Sequence, residues 1–427
     1  MKIFPENFRV NSYLILFAIV VIVTAPSLKS SFAGDDDDYL IVNSPKIDLS
    51  LRQLPLLFTK TLGEPLDHPK PGARFFYYRP MLGLLYALNF KVWGMNPVGF
   101  HLTNILLHIF SAIFVFKIGL ILFGEDETAP LLAAALFAVH PVNNEVLHRV
   151  AMNENIYGFF MITSLYFFIR NEKRLSWCIF SLALLSKESA VMLPFALCLF
   201  SIRKDGLKKC TVSMIPYAVI LIVYLMLRQI IVGTLSALNV SQPLFPKILT
   251  MIAALSDYIR LLIIPYPLSP FYPARLYTSL TQPKVLGALA AVVVFSLLAF
   301  KLRKDKVMPF LLLAPFILLA PVILMVNSFP LGIDLEYIGE RFLYVPSMIF
   351  SLFTTALIVK TANERVRQFI TAAFSVVIIL FAVITASYAK AWASTPAFLD
   401  RIAEIAPDTT IAHFRRGNIF YEEGKFN

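Results

Sequence analysis

From about residue 13 to residue 388 the chain is a succession of apolar runs separated by short polar stretches. A backbone inside a bilayer must satisfy every N–H and C=O internally, so such a chain can cross only as helices or as a closed barrel. Barrel strands are shorter and alternate in polarity, which these runs do not. The fold class is therefore all-α: a polytopic bundle of membrane helices. With 58% hydrophobic and only 15% charged residues, a soluble globular enzyme is excluded. The net charge of +11 sits in clusters between the apolar runs, which orients helices in a membrane and gives no reason to expect nucleic acid as a partner.

Charge also assigns sides. Basic clusters at Arg170–Arg174, Arg203–Lys209, Lys301–Lys306 and Lys360–Arg367 are expected in the cytoplasm. The first run, Tyr13–Leu28, follows Lys2 and Arg9 and is expected to be a retained signal anchor, with cleavage after Ser31-Phe32-Ala33 as the alternative. Further spans are expected at Val98–Phe123, Pro130–Val139, Ile156–Ile169, Leu175–Leu185, Ala190–Ile202, Thr211–Val232, Val285–Phe300, Met308–Val326, Phe342–Val359 and Phe369–Tyr388. Pro246–Ile264 reads as re-entrant or interfacial, because a full crossing there would place Lys301–Lys306 outside. The count is about eleven crossings with the carboxyl terminus outside. Tyr77–Gly94 reads as an interfacial helix, a short spanning one being the alternative.

The long first external loop, residues 28–97, opens with Phe-Ala-Gly-Asp-Asp-Asp-Asp-Tyr from Phe32 to Tyr39. Adjacent carboxylates raise one another's pKa, so Asp35–Asp38 can supply a base or hold a cation; a solvated acidic loop is the plain alternative. Arg79, His140, Asn143, Glu145, Lys187, Glu188, Asp334, Glu336, Glu340 and Arg341 are expected on the same face. Ionisable residues at helix ends near a membrane are candidates for function; each also has a structural reading, such as Lys187 neutralising Glu188 or His140-Pro141 ending a helix. Cys178, Cys198 and Cys210 have spacings that suit neither a disulfide framework nor a metal site and read as lipid-facing or packing residues that say little about redox compartment. The chain divides into a membrane domain, residues 1–392, and a polar helical tail, 393–427. In the tail, Gly417, Phe420 and Gly424 match the spacing of one tetratricopeptide unit, which would be cut short at Asn427.

Six motifs occur in order: Phe-x-x-Asp-Asp with Asn43 downstream, Tyr78-Arg-Pro80, Asn96-Pro-x-Gly-Phe-His-Leu-x-Asn104, His140-Pro-Val-x-x-Glu145, Leu185-Ser-Lys-Glu188 and Glu340-Arg-Phe-Leu-Tyr-x-Pro-Ser347. Together they resemble the transmembrane and tetratricopeptide-repeat-containing proteins, and through them the GT-C glycosyltransferases that include the protein O-mannosyltransferases. The resemblance implies a GT-C-like bundle and a transferase that uses a polyprenyl-phosphate sugar, with its active face outside the cytoplasm. It also implies an acidic pair in the first external loop; the anchors Phe32 and Asn43 select Asp35 and Asp36, and a two-residue slip would select Asp37 and Asp38. His140, Glu145, Glu188, Glu340 and Tyr344 belong to the motifs as supporting residues. One departure stands out: Asn153 and Asn155 occupy positions where the family carries Arg and Asp.

Transfer of a sugar, mannose being the one the resemblance suggests, to a protein or glycan hydroxyl needs a base, for which Asp35 is the first candidate with Asp36 beside it. The leaving phosphate needs cations, for which Arg341, Lys187 and Arg79 are available. The reaction is expected to need no metal, with Mg²⁺ or Mn²⁺ held by Asp35 and Asp36 as the alternative. The partners are then the lipid-linked sugar, the acceptor and membrane lipid. The chain is expected in the cell membrane of a prokaryote or the endoplasmic reticulum of a eukaryote. A non-catalytic scaffold presenting repeats is the competing class; a transporter would put charges in mid-span, where few occur.

Overall fold

The computed structural model describes residues 6–33, 35–44, 47–50, 52–62, 77–124, 127–151, 153–233, 243–273, 275–325, 336–360 and 363–422. In chain order the helices are α1 (Glu6–Thr24), α2 (Asp35–Asp37), α3 (Pro80–Trp93), α4 (Pro97–Phe123), α5 (Thr128–Val139), α6 (Asn144–His148), α7 (Glu154–Ile169), α8 (Lys173–Ser186) and α9 (Leu193–Asp205). They continue as α10 (Leu207–Val232), α11 (Leu244–Ile263), α12 (Pro283–Leu302), α13 (Met308–Met325), α14 (Tyr344–Val359), α15 (Glu364–Tyr388), α16 (Thr395–Ile405) and α17 (Thr410–Glu422). The strands β1 (Tyr272–Pro273) and β2 (Glu336–Ile338) form one short antiparallel ladder.

Among the described residues six helical stretches are long and apolar enough to cross a membrane: Val10–Lys29, Pro97–Phe123, Leu207–Val232, Pro283–Leu302, Glu340–Val359 and Glu364–Trp392. The chain is thus a multi-pass membrane protein. The five other expected crossings fall on helices of 12, 16, 14, 13 and 18 residues, namely α5, α7, α8, α9 and α13. The stretch read as re-entrant is the 20-residue α11, where Asp257 is ion-paired with Lys284 and also lies 3.7 Å from Arg260.

Helices surrounded by lipid gain little from hiding apolar surface, so close packing holds them together. The centre is α4 against α5 and α7, with α14 laid on α5, α7 and α13. Small residues permit the approach. A Cβ on Gly158 of α7 would lie 2.6 Å from the Tyr344 ring, so only glycine seats α7 there. One polar pair inside this core links three helices. His108 Nε2 donates to Ala138 O at 3.1 Å, which leaves Nδ1 to accept from the Tyr344 hydroxyl at 2.8 Å. A smaller cluster of Ile41, Leu82, Tyr86, Phe100, Val150, Ala151 and Ile156 underlies the acidic turn.

Candidate active site

Two motif residues bring the acidic turn to the bundle. Phe32 packs edge-on against Phe100 of α4, ring centroids 5.6 Å apart, so the first loop folds back onto the asparagine-proline motif. Asn104, one turn further along α4, donates through Nδ2 to Arg149 O and Val150 O at 3.3 and 3.1 Å and holds the irregular segment that follows α6. Asp37 then closes the junction. Its carboxylate accepts from Ala33 N at 2.8 Å and from Ala151 N at 2.7 Å, and the side chain is fully buried. Burial pushes its pKa up to about 6, against the pull of the Ala33 amide and of Arg149.

The neighbouring carboxylate is available. Asp36 is 53% exposed and accepts from Arg149 Nη2 at 3.2 Å. Arg149 is itself only 8% exposed and reaches Glu145, four residues earlier on the same helical face, at 3.6 Å. Glu145 in turn takes Arg341 from a helical turn nearly two hundred residues away, through Nη1 at 2.6 Å and the backbone N–H at 3.1 Å. A continuous chain therefore runs Asp36, Arg149, Glu145, Arg341. Arg149 Nε, buried, has no hydrogen-bond partner among the described residues.

A second set lies beside it. Lys187 pairs with Glu154 at the start of α7, and Arg79 donates through Nε and Nη2 to Glu188 at 3.0 and 2.8 Å. Burial holds Lys187 below the usual lysine range although Glu154 opposes it, while Arg79 and Arg341 push the same way as burial. Burial would raise Glu188, but the Arg79 guanidinium, a backbone N–H and Lys187 together outweigh it and keep the carboxyl below its ordinary range. Buried Tyr86 of α3 lies within electrostatic reach of Asp37, Asp36, Glu154 and Arg79, so the two sets share one neighbourhood.

The structure thus gathers Asp36, Glu145, Arg341, Lys187, Glu188 and Arg79 from the expected set. Lys187 and Glu188 do not neutralise one another; each takes a partner from another helix, since the extended backbone at Lys187 (φ −158°, ψ 138°) is followed directly by a helical turn from Glu188. The side chains of Asp35 and Glu336, and all of Asp334, lie outside the described residues. Asp38 is exposed. Glu340 is buried at the edge of the site, accepting from Ser269 N at 2.8 Å and Tyr272 OH at 2.7 Å, and so fastens the loop before β1.

Two supporting residues sit elsewhere. Tyr344 is in the core on His108, because the first turn of α14 points it at Gly158. His140 is buried, donating from Nε2 to Leu262 O at 3.0 Å. Asn143 takes Ser347 Oγ at 3.3 Å and so joins two motifs structurally.

The sequence reading missed Arg149, Glu154 and the anchoring role of Asp37. The four-residue step from Glu145 to Arg149 was a usable signal. It also bears on the departure noted above: Asn155 donates to Val146 O at 3.0 Å as a structural residue, while Arg149 and Glu154 put a cation and a carboxylate in the same segment. Among the described residues no three His, Cys, Asp or Glu side chains converge as a metal site. Asp36 is engaged by a guanidinium and Asp37 by two backbone amides.

Residues 67–231 match the family described as dolichyl-phosphate-mannose-protein mannosyltransferase. The chain is 23% identical over 434 aligned positions to the protein O-mannosyl-transferase F38B6.6 of Caenorhabditis elegans, covering 97% of this chain and 61% of that one. It is 30% identical over 156 positions to human protein O-mannosyl-transferase TMTC4, covering 32% of this chain and 20% of that one. It therefore spans about three-fifths of the worm relative and a fifth of the human one. Two solved structures are similar to it: an oligosaccharyltransferase of Archaeoglobus fulgidus (TM-score 0.48, 13% identity, 96% of this chain and 59% of that one) and ArnT of Cupriavidus metallidurans bound to undecaprenyl phosphate (TM-score 0.47, 12% identity, 92% and 80%).

Proposed function

This chain is protein O-mannosyltransferase-like, and from that premise we propose that it is the membrane part of a glycosyltransferase moving a sugar, mannose first among the candidates, from a polyprenyl-phosphate carrier to a protein or glycan hydroxyl on the non-cytoplasmic face. The carrying observation is the charge chain from Asp36 through Arg149 and Glu145 to Arg341, with Lys187 and Arg79 beside it. Burying these charges costs desolvation free energy, which a role in binding a phosphate would offset.

In the proposed step the acceptor oxygen attacks the anomeric carbon as the bond from that carbon to the phosphate oxygen breaks, with inversion. The acceptor proton passes to a carboxylate of the acidic turn. Asp36 fits this role as the exposed carboxylate beside the cations, with Asp35 next to it. The departing lipid phosphate gains negative charge, and Arg149, Arg341, Lys187 and Arg79 are placed to offset it, guanidinium groups matching phosphate in two-point geometry. Asp37 holds the turn in place. No step is routed through a metal.

The finer topology belongs to the same proposal: eleven crossings, the charge chain outside the cytoplasm, and α16–α17 leading into tetratricopeptide repeats. The test is transfer of labelled mannose from polyprenyl-phosphate mannose in membranes. Asp36→Asn is expected to lower transfer by about 10²-fold or more, as loss of a general base does. Full transfer in both Asp36→Asn and Asp35→Asn would overturn the reading.

A further inference from the structure

Helices α9 and α10 form a hairpin that reverses at Gly206, whose φ of 83° favours glycine. Each helix brings one cysteine to the seam: Cys198 Sγ and Cys210 Sγ are 2.7 Å apart, and Cys210 Sγ also faces Cys198 O at 3.6 Å. Spacing alone suggested lipid-facing or packing residues; the hairpin makes two of them partners. Cys210 is buried, Cys198 is partly accessible, and Cys178 is exposed on another helix.

The surroundings narrow the chemistry. Among the described residues no third ligand joins the two sulfurs to make a metal site. The turn between the helices exposes Arg203, Lys204, Lys208 and Lys209. Such cations attract an anionic oxidant to this turn. Under the positive-inside assignment this turn faces the cytoplasm, where thiols are held reduced and disulfides are transient or sensory.

We propose that Cys198 and Cys210 are a reversible redox pair that closes to a disulfide on exposure to glutathione disulfide. Cys198 thiolate attacks one glutathione sulfur and releases glutathione thiolate. Cys210 then attacks Cys198 Sγ, a second glutathione leaves, and the two thiol protons end on the two glutathiones. Two electrons pass from the cysteine pair to the oxidant. The bond would staple α9, which leads on from Glu188, to α10, whose Tyr224 lies against Tyr78 with ring centroids 6.3 Å apart. The pair stands independently of the transferase reading.

The full chain carrying Cys178→Ser, in membranes, is treated with glutathione disulfide, denatured in SDS and labelled with a maleimide-bearing polymer. Both remaining thiols are expected to label before oxidation, neither after it, and both again after dithiothreitol. Peptide masses are expected to show residues 198 and 210 linked, with two hydrogens lost. With Cys198→Ser added, Cys210 is expected to label in every state. Two labelled thiols after oxidation, or glutathione left on Cys198 with Cys210 free, would overturn the proposal.

Discussion

At the end of the bundle that carries the acidic turn, Arg79 meets Glu188 across 109 residues and Arg341 meets Glu145 across 196, with side chains between 2% and 27% exposed. At the opposite ends of the same helices the pairs are mostly neighbours in sequence and open to solvent. Arg170 with Glu172 is 51% and 37% exposed, and Arg367 with Glu364 is 41% and 59%. The helix α8, 14 residues long, separates Lys173 at one end from Lys187 just past the other by about 20 Å. Exposed pairs contribute little and are screened by salt, whereas buried ones cost much when broken. The open end has charges that orient helices; the closed end has charges that were brought together.

The sharpest way to break this contrast is Arg341→Ala. It strands buried Glu145 beside one remaining cation and removes a candidate phosphate partner, so transfer is expected to fall by about 10²- to 10³-fold, with stability lower by about 3 kcal/mol in chemical denaturation. Transfer close to wild type would reduce the buried end to scaffolding.

Asp37 gives the next largest effect, and it depends on pH. Its folded pKa is raised from 3.8 to about 6, so the stability tied to its protonated form is full below about 3.8 and lost as pH rises through about 6. The shift corresponds to about 3 kcal/mol. Thermal unfolding between pH 4 and 7 is expected to show this slope in the wild type and to lose it in Asp37→Asn. An equal slope in both would assign the titration elsewhere.

A smaller change is expected at the second pair. Glu188→Gln weakens the grip on Arg79, and transfer is expected to drop by about tenfold, in KM more than kcat. The smallest belongs to the open end: Glu364→Gln is expected to move stability by less than about 0.5 kcal/mol and transfer not at all. A comparable loss from Glu188→Gln and Glu364→Gln would erase the distinction between the ends.

Much of this was legible in the sequence because membrane helices are written as long apolar runs, and α4, α10, α12 and α15 fall close to where hydropathy puts them. The gathering of Arg79, Lys187, Glu188, Glu145 and Arg341 was legible too, since each stands at a helix end on one side. Partner choice was not. Lys187 and Glu188 are adjacent in sequence, yet the backbone at Lys187 sends them to different helices. The acidic run offered four equal letters; backbone amides at Ala33 and Ala151, which no side-chain pattern reports, single out Asp37 for burial. Tyr344 looked like a site residue from its motif, but its direction depends on the empty space at Gly158, a fact of packing.

The segment after the last long helix also has a bearing on the charge chain. Ser31, four residues before the acidic turn begins, donates its backbone N–H to Ala393 O at 3.1 Å, and the Phe398 ring of α16 lies 5.8 Å from the Arg149 guanidinium. Arg401 of the same helix donates to Leu268 O at 3.3 Å on the other side. Helix α16 therefore roofs the guanidinium while gripping both rims. A change in the seating of this helix would therefore be felt at the Arg149 guanidinium as well as at the two loops it holds.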